Sequence, residues 1–573
     1  MISPAPDDQD GASPAKSPFE LRHATFLNWI ASHSLTLSRT SAYVTSFLVA
    51  APFFYHLAHR SQAFLVLLED DYYYYGTVAD QLVSTGKLTY DGITVTNGFH
   101  PLWFLVVVTL RAVFGRFGSA FYGALALVFI VSMVSTFELG RRFAMRLGAS
   151  SGGGGVAAAI YSFSTAQLLT DGMECVIAVP LFLWLLVEIA RPESLTSRRA
   201  AKIGFISSLA ILGRLDIAFV VPMFIVGYAV FVRPPAATFV RALLAFCAAG
   251  FLLGAYLTAN LIVFGSPLPV SALAKRLVVQ YGFSLAYARD VALHTIYGRS
   301  MGAVLPLGLL AVFGLVWYVP ANRRQGLFAG ALALIYAFVF FGFNALSGWI
   351  FFGWYAFPFV PATIAALVFI YRRWAPRVST RAQVAAVIFL TALPPALALR
   401  YFIQHGPRGS IRDNTLLAMS FDLADRLRNR QGLFAMGAIA GMTRHVMDKP
   451  VLQIEGIVAD RRMVEHVRRQ DPLADVLAEY QADYLIVSLA GVPAERHDGC
   501  FLVTQPHAEW AGFRTAKMRG EICSEPIVHF FTERGSSPWS NFPTTETFVW
   551  DLRQSRWRNP DGEEVPMYLP VKK

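Results

Sequence analysis

Up to residue 402 the chain is built from apolar blocks separated by short polar stretches. The blocks cover 42–57, 119–139, 155–169, 173–190, 203–213, 217–232, 242–264, 301–319, 326–343, 351–371 and 383–402. Most approach the ~20 apolar residues that a helix needs to cross the hydrocarbon layer, so the pattern predicts a polytopic α-helical membrane protein of about eleven spans. One further block, 101–114, stops at Gly115 and is followed by Arg116. It is too short to cross and is expected to lie in the interface or to re-enter. Residues 1–40 are polar and rich in Pro, Ser and Asp, which reads as a flexible cytoplasmic tail ahead of an uncleaved anchor. From 403 to 573 the pattern changes to mixed charge, with alternating apolar stretches at 451–454 and 484–487 around helix-like segments near 460–480. That part predicts a soluble α/β domain.

Charge sets the orientation. Arg141/Arg142/Arg146, Arg198/Arg199/Lys202, Arg233/Arg241, Arg323/Arg324 and Arg372/Arg373/Arg377/Arg381 belong in the cytoplasm by the positive-inside rule. All of them fall inside if the amino terminus is internal, 101–114 does not cross, and 203–213 and 217–232 are two spans joined outside by Gly213, Arg214, Leu215 and Asp216. Residues 41–402 then form a transmembrane domain with an external loop at 61–118, and the 403–573 domain is extracytoplasmic. Composition agrees: only 15% of residues are charged, and the mean hydropathy is +0.46. A soluble chain would carry about 25% charge. The net charge of +11 sits in these loop clusters rather than in one stripe, which argues against nucleic acid. Four cysteines without CxxC spacing exclude a disulfide-dense scaffold and a zinc ribbon.

Candidate chemistry gathers in the loops assigned to the outside. The first carries Glu69-Asp70-Asp71 followed by four tyrosines including Tyr74, then Thr96-Asn97-Gly98-Phe99-His100-Pro101-Leu102-Trp103. The second carries Gly172-Met173-Glu174, the third Arg214 and Asp216, the fourth Ser266 to Pro269 and then Lys275-Arg276, and the fifth Trp354-Tyr355. A carboxylate accepts a proton from an attacking hydroxyl, Arg or Lys stabilises a departing phosphate, and aromatics stack on a sugar or prenyl chain. Asp70 or Asp71 also has a plain alternative as a cap of the helix that follows.

At these residues the chain resembles the GT-C superfamily of membrane glycosyltransferases, related to the dolichyl-phosphate mannose and aminoarabinose transferases. The resemblance covers roughly residues 42–402. It implies transfer of a sugar from a polyprenyl-phosphate donor to an acceptor hydroxyl of a glycan, lipid or protein on the extracytoplasmic face, in a multi-pass protein of the plasma (inner) membrane. It implies Asp70 or Asp71 as general base, Glu174 as the assisting acid, and Lys275 or Arg276, with Arg214, at the lipid phosphate. Tyr74, Asn97, His100, Asp216, Trp354 and Tyr355 join the substrate-binding candidates. No cofactor is required by the pattern; a divalent metal stays open, although Gly-Met-Glu departs from the family's paired second-loop acids. A transporter or flippase, and a ligand-binding scaffold, are the rival classes.

Blander features complete the reading. Gly437-x-x-x-Gly441 lacks the order of a nucleotide fingerprint and reads as a turn or close packing. Cys500 and Cys523 share the external side, where disulfides are permitted, and their pairing is left open; Cys175 and Cys247 read as packing residues. The topology has a direct test: reporter fusions should place the point after Arg146 inside and the point after Gln404 outside. An external signal after Arg146 would overturn the span count.

Overall fold

The computed structural model describes residues 18–150, 153, 155, 167–191, 195–232, 234–277, 324–347, 352–374, 377–490, 494–506, 515–533, 544–558 and 562–568. Most of the expected span at 155–169 and all of that at 301–319 lie outside them. The first helix, α1 (Pro18–Ala58), is continuous, so the tail expected to reach residue 40 is helical from Pro18. There follow α2 (Asp70–Thr85), α3 (Pro101–Phe114), α4 (Ser119–Arg146), α5 (Cys175–Ile189) and α6 (Ser197–Gly213). Local chemistry sets their ends. Gly86 closes α2 in the left-handed conformation at φ +73, and proline opens α3 where its missing N–H costs nothing. The stretch expected as one span at 217–232 is divided between a 3-10 turn at Leu215–Phe219, α7 (Val220–Gly227) and a π turn at Tyr228–Val232.

The span expected at 242–264 is two helices, α8 (Ala236–Ala249) and α9 (Phe251–Phe264), bent by 47°. Gly250 at the joint is the residue least able to hold a helix straight. Gly204 of α6 clamps α8 close, since a Cβ there would lie 2.3 Å from the Phe246 carbonyl oxygen. Then come α10 (Val270–Arg276), α11 (Arg324–Ser347), α12 (Phe359–Trp374) and α13 (Thr380–His405). Among the described residues three helical stretches are long and apolar enough to cross a membrane, Ser32–Ala58 of α1, α4 and α13, with the bent pair a fourth. Several other apolar helices, α3 and α5 among them, are shorter, so about eleven spans is a larger number than helix length alone supports.

The carboxy-terminal part contains α14 (Thr415–Arg426), β1 (Phe434–Met436), α15 (Ala440–Met447), β2 (Val451–Gln453), α16 (Arg461–Arg469), α17 (Leu473–Glu479) and β3 (Tyr484–Ala490). Strands β4 (Arg496–His497), β5 (Cys500–Gln505), β6 (Met518–Ile522), β7 (Val528–Glu533), β8 (Thr544–Asp551), β9 (Arg556–Arg558) and β10 (Glu564–Pro566) complete it. One sheet has the order β2-β1-β3-β8-β7, with β1 parallel to β2 and β3 and the rest antiparallel. The other, β10-β9-β6-β5-β4, is antiparallel, and the Cys500–Cys523 disulfide links its β5 to the end of β6. The expected α/β character is met.

Alternation along β3 divides two cores. Ile486 belongs to an apolar core that runs unbroken from Phe53 and Phe129 of the helices through Tyr72 and Trp103. Leu485 and Val487 point the other way, into a core with Met463, Leu477 and Trp550 that also takes in Val270, Ala274 and Leu277 around α10. Segment 61–118 is therefore seated on the carboxy-terminal part. Gly98 sits hard against it: a Cβ would lie 2.0 Å from the Ile457 carbonyl oxygen. Gly98→Ala should lower the unfolding temperature of the purified protein, by a destabilisation of about 1–3 kcal/mol from overpacking. Gly254→Ala, at a helical position with open space around it, should be neutral or slightly stabilising. Equal melting of wild type and Gly98→Ala would show that this contact does not hold the two parts together.

Candidate active site

Helix α2 presents its acids at its first turn. Neither caps it: the N-cap is Glu69, with no side-chain cap hydrogen bond. The two aspartates face different partners. Asp70 Oδ1 accepts from the backbone N–H of Met442 at 2.6 Å, at the start of α15. Asp71, half-buried, has no hydrogen-bond partner among the described residues and feels the charges of Asp70, Lys275, Glu174 and Glu69. Burial, then the neighbouring Asp70 charge, push the Asp71 carboxyl up to about 8, with Lys275 pulling the other way. Burial raises Asp70 less, to about 6, because Met442, Tyr74 and Gly441 donate to its ionised form. Glu69 has an open surface yet is ringed by protein, as in the wall of a cleft; burial and Asp70 bring it to about 7.

Facing them is a buried ion-pair knot. Arg214, only 2% exposed, pairs through Nη1 with Glu174 Oε1 and through Nε with Asp216 at 3.1 Å. Its guanidinium lies 4.5 Å from the Phe357 ring centroid and 5.1 Å from that of Tyr355. Burial alone would raise Glu174, but Arg214 and then His100 outweigh it, and the net shift is downward. Tyr75 donates to Glu174 Oε2 at 3.2 Å and accepts the His100 backbone N–H at 3.3 Å. His100 Nδ1 accepts the Leu215 backbone N–H at 3.3 Å, which leaves the proton of a neutral ring on Nε2, 3.7 Å from Glu174. Burial lowers the His100 pKa and keeps the ring neutral.

Lys275, near the end of α10, supplies the cation on the Asp71 side. Its ammonium lies 5.1 Å from the Tyr355 centroid. Burial would lower its pKa, but Tyr355 and Asp71 favour the charged form and the net shift is upward. The loops are tied to one another by the motif residues themselves. Trp103 Nε1 donates to the Gly172 carbonyl at 2.8 Å, and Gly172 (φ +82) leaves room for Tyr72, whose ring would meet a Cβ at 2.7 Å. Asn97 holds the fourth loop, accepting from Val270 N–H at 2.9 Å and donating to Asn260 at 3.2 Å. Cys175 Sγ donates to the Trp354 carbonyl at 3.1 Å.

Of the residues singled out in the sequence, Asp71, Glu174, His100, Arg214, Asp216, Lys275 and Tyr355 come together. Tyr74 and Asn97 are buried in structural contacts, Trp354 stacks on Phe352 at 4.5 Å, Asp70 turns to α15, and Arg276 is exposed. Cys175 is buried as expected, whereas Cys247 is exposed. Two participants went unnoticed. Tyr75 was hidden in a run of four tyrosines, and buried Asp171, whose Oδ1 accepts from Met173 N–H at 2.9 Å, stands directly before the Gly-Met-Glu motif. The acids do not suit a divalent cation. Glu174 is taken by Arg214 and Tyr75 and Asp70 by backbone N–H groups. Among the described residues the only three potential metal-ligating groups within 4.8 Å are Cys500, Cys523 and Glu564, and the two cysteines are bonded to each other.

No protein-family model matches the chain, and no curated protein does. Solved structures are similar to it. ArnT from Cupriavidus metallidurans in the apo state shows 13% identity over 75% of this chain and 90% of that one, with a TM-score of 0.46. The Archaeoglobus fulgidus oligosaccharyltransferase in the apo form shows 12% over 80% and 70%, also at 0.46. Arabinofuranosyltransferase AftD from Mycobacteria shows 15% over 90% and 40%, at 0.34.

The knot makes a stability prediction. Arg214→Met leaves Glu174 buried without its cation and should cost about 3–5 kcal/mol in the purified protein, while adding Glu174→Gln should recover part of the loss. Additive losses in the double variant would show that the two side chains do not depend on each other.

Proposed function

We propose that this is an integral membrane glycosyltransferase that moves a sugar from a polyprenyl-phosphate carrier to an acceptor hydroxyl at the extracytoplasmic face. In this reading it crosses the membrane about eleven times, with residues 403–573 outside. The observation that supports it most directly is the nearness of a carboxylate and a cation that each feel the other's charge. Asp71 has a carboxylate free of hydrogen-bond partners among the described residues, and Lys275 is a half-buried cation on the same side. A carboxylate raised toward neutrality is matched to general-base work at working pH, because it gains driving force for taking a proton.

The step is a single inverting displacement. The acceptor oxygen bonds to the anomeric carbon as its proton passes to Asp71; the bond from that carbon to the phosphate oxygen breaks, and its electron pair leaves with the polyprenyl phosphate. Lys275 stabilises the growing negative charge, as a cation in a partly dehydrated cleft does best. Arg214 is already neutralised by Glu174 and Asp216, so in this mechanism it shapes the cleft and holds Tyr355 and Glu174 in place. The ring of Tyr355, beside Lys275, is the aromatic surface against which a sugar or prenyl chain packs. The short pair of helices around Arg214 and Asp216, and the bent pair α8–α9, are the features that favour a transporter among the described residues. The ionisable groups, however, gather among the loops rather than at the Gly250 break.

Asp71→Asn should lower turnover by about 10²-fold or more with a polyprenyl-phosphate sugar as donor. Because the base must be unprotonated, kcat/KM of the wild type should fall as pH drops through about 8, the value to which Asp71 is raised. Full activity of Asp71→Asn, or a flat profile between pH 6 and 9, would overturn Asp71 as base.

A further inference from the structure

We infer that the carboxy-terminal α/β part is the positioning element of the active site, and that Asp70 is the residue through which it acts, bound by the start of α15 in the way such a domain binds an anionic ligand. The inference rests on the reading of Asp71 as base. Its argument begins with sheet topology. Strands β1, β2 and β3 are parallel in the order β2-β1-β3, so the chain leaves β1 first toward one side and then returns to the other. In open sheets of this kind, the crevice beyond the carboxyl end of the central strand is where ligands are received, with the free N–H groups of the following helix turned toward negative charge.

Here that place is filled from within the molecule. Helix α15 follows β1 after Gly437, Ala438 and Ile439, and the Asp70 carboxylate accepts from its Met442 N–H at 2.6 Å, with Gly441 N–H as a second donor. The approach requires glycine: a Cβ on residue 441 would lie 2.4 Å from the Asp70 carbonyl oxygen and 2.9 Å from its Oδ1. Tyr90 from the same loop secures the turn, donating to the Ala440 carbonyl at 2.7 Å, and Tyr90 is itself fully buried. The Gly437-x-x-x-Gly441 spacing is thus a close-packing device whose second glycine admits Asp70.

The same domain holds the other wall of the cleft. Arg461 of α16 donates to the Gly265 carbonyl at 2.9 Å, and Val270 and Ala274 of α10 are buried in the domain's second core. Asp71, one residue beyond the anchored Asp70, and Lys275, one residue beyond Ala274, are therefore both referred to one rigid body. That fixes their separation, which matters because a displacement of about 1 Å at a reacting group can cost 10²-fold in rate.

The experiment uses the full chain in detergent or nanodiscs and compares Asp70→Asn, Asp70→Ala, Asp71→Asn and Gly441→Ala by two readouts. The first is hydrogen–deuterium exchange of the α15 amides, which is independent of catalysis. The second is steady-state turnover with a polyprenyl-phosphate sugar. Asparagine retains an acceptor oxygen, so Asp70→Asn should keep the protection of Gly441 and Met442 and most of the turnover. Asp70→Ala and Gly441→Ala should lose that protection and lower kcat about tenfold or more with KM little changed, the signature of misplaced groups rather than lost binding. Asp71→Asn should keep the protection and lose turnover. Unchanged exchange in Asp70→Ala overturns the anchor. Loss of turnover in Asp70→Asn as deep as in Asp71→Asn, with protection intact, overturns the positioning role by showing that the Asp70 charge is itself used. If Asp71→Asn is fully active while Asp70→Ala loses protection, the base assignment fails and the anchor stands.

Discussion

Everything in the cleft is arranged around one desolvated cation. Arg214 is buried beneath the Phe357 and Tyr355 rings, and a guanidinium in such a place is tolerable only if its charge is met and its donors are used. Glu174 and Asp216 meet it. That requirement fixes the second loop to the third, turns Glu174 so that its other oxygen receives Tyr75, and through Tyr75 and the Leu215 N–H sets the place of His100. The knot consumes its own charges. Asp71 and Lys275 lie beside it, each within reach of the other's charge.

The consequence is that adjacent acids that look alike in one dimension meet different surroundings. Asp70 and Asp71 are consecutive on a helix, so their side chains leave it about 100° apart and cannot serve one partner. One is turned to the backbone N–H groups of α15 and the other to the cleft. Burial raises both, and hydrogen bonds from N–H groups hold the first down, whereas the second feels burial and then its neighbour's charge with no such donors. Both carboxyls are raised, and the one without those donors is raised further.

The same geometry explains the glycines of the motifs. Gly172 accepts the Tyr72 ring, Gly98 the Ile457 carbonyl, and Gly441 Asp70. Each marks a place where two segments distant in the chain approach too closely for a Cβ. Gly98 and Gly441 lie where the helical part meets the α/β part, Gly172 where the second loop meets the first, and a single apolar core continues across all three.

Read without coordinates, the chain disclosed its apolar blocks, its change of character after residue 402, the ends of α2 and α3, and the set of loops in which reactive side chains lie. Those properties follow from local rules: hydrophobic runs, helix-ending glycine and helix-opening proline, and the bias of basic residues to one side of a bilayer. The bend at Gly250, the helical start at Pro18 and the burial of Asn97 and Tyr74 were not legible, because each depends on what packs alongside. The different partners of Asp70 and Asp71 lay furthest out of reach. The N–H groups that claim Asp70 are at Gly441 and Met442, brought to it only when the α/β sheet docks on the first loop, and no pattern near residue 70 carries that contact.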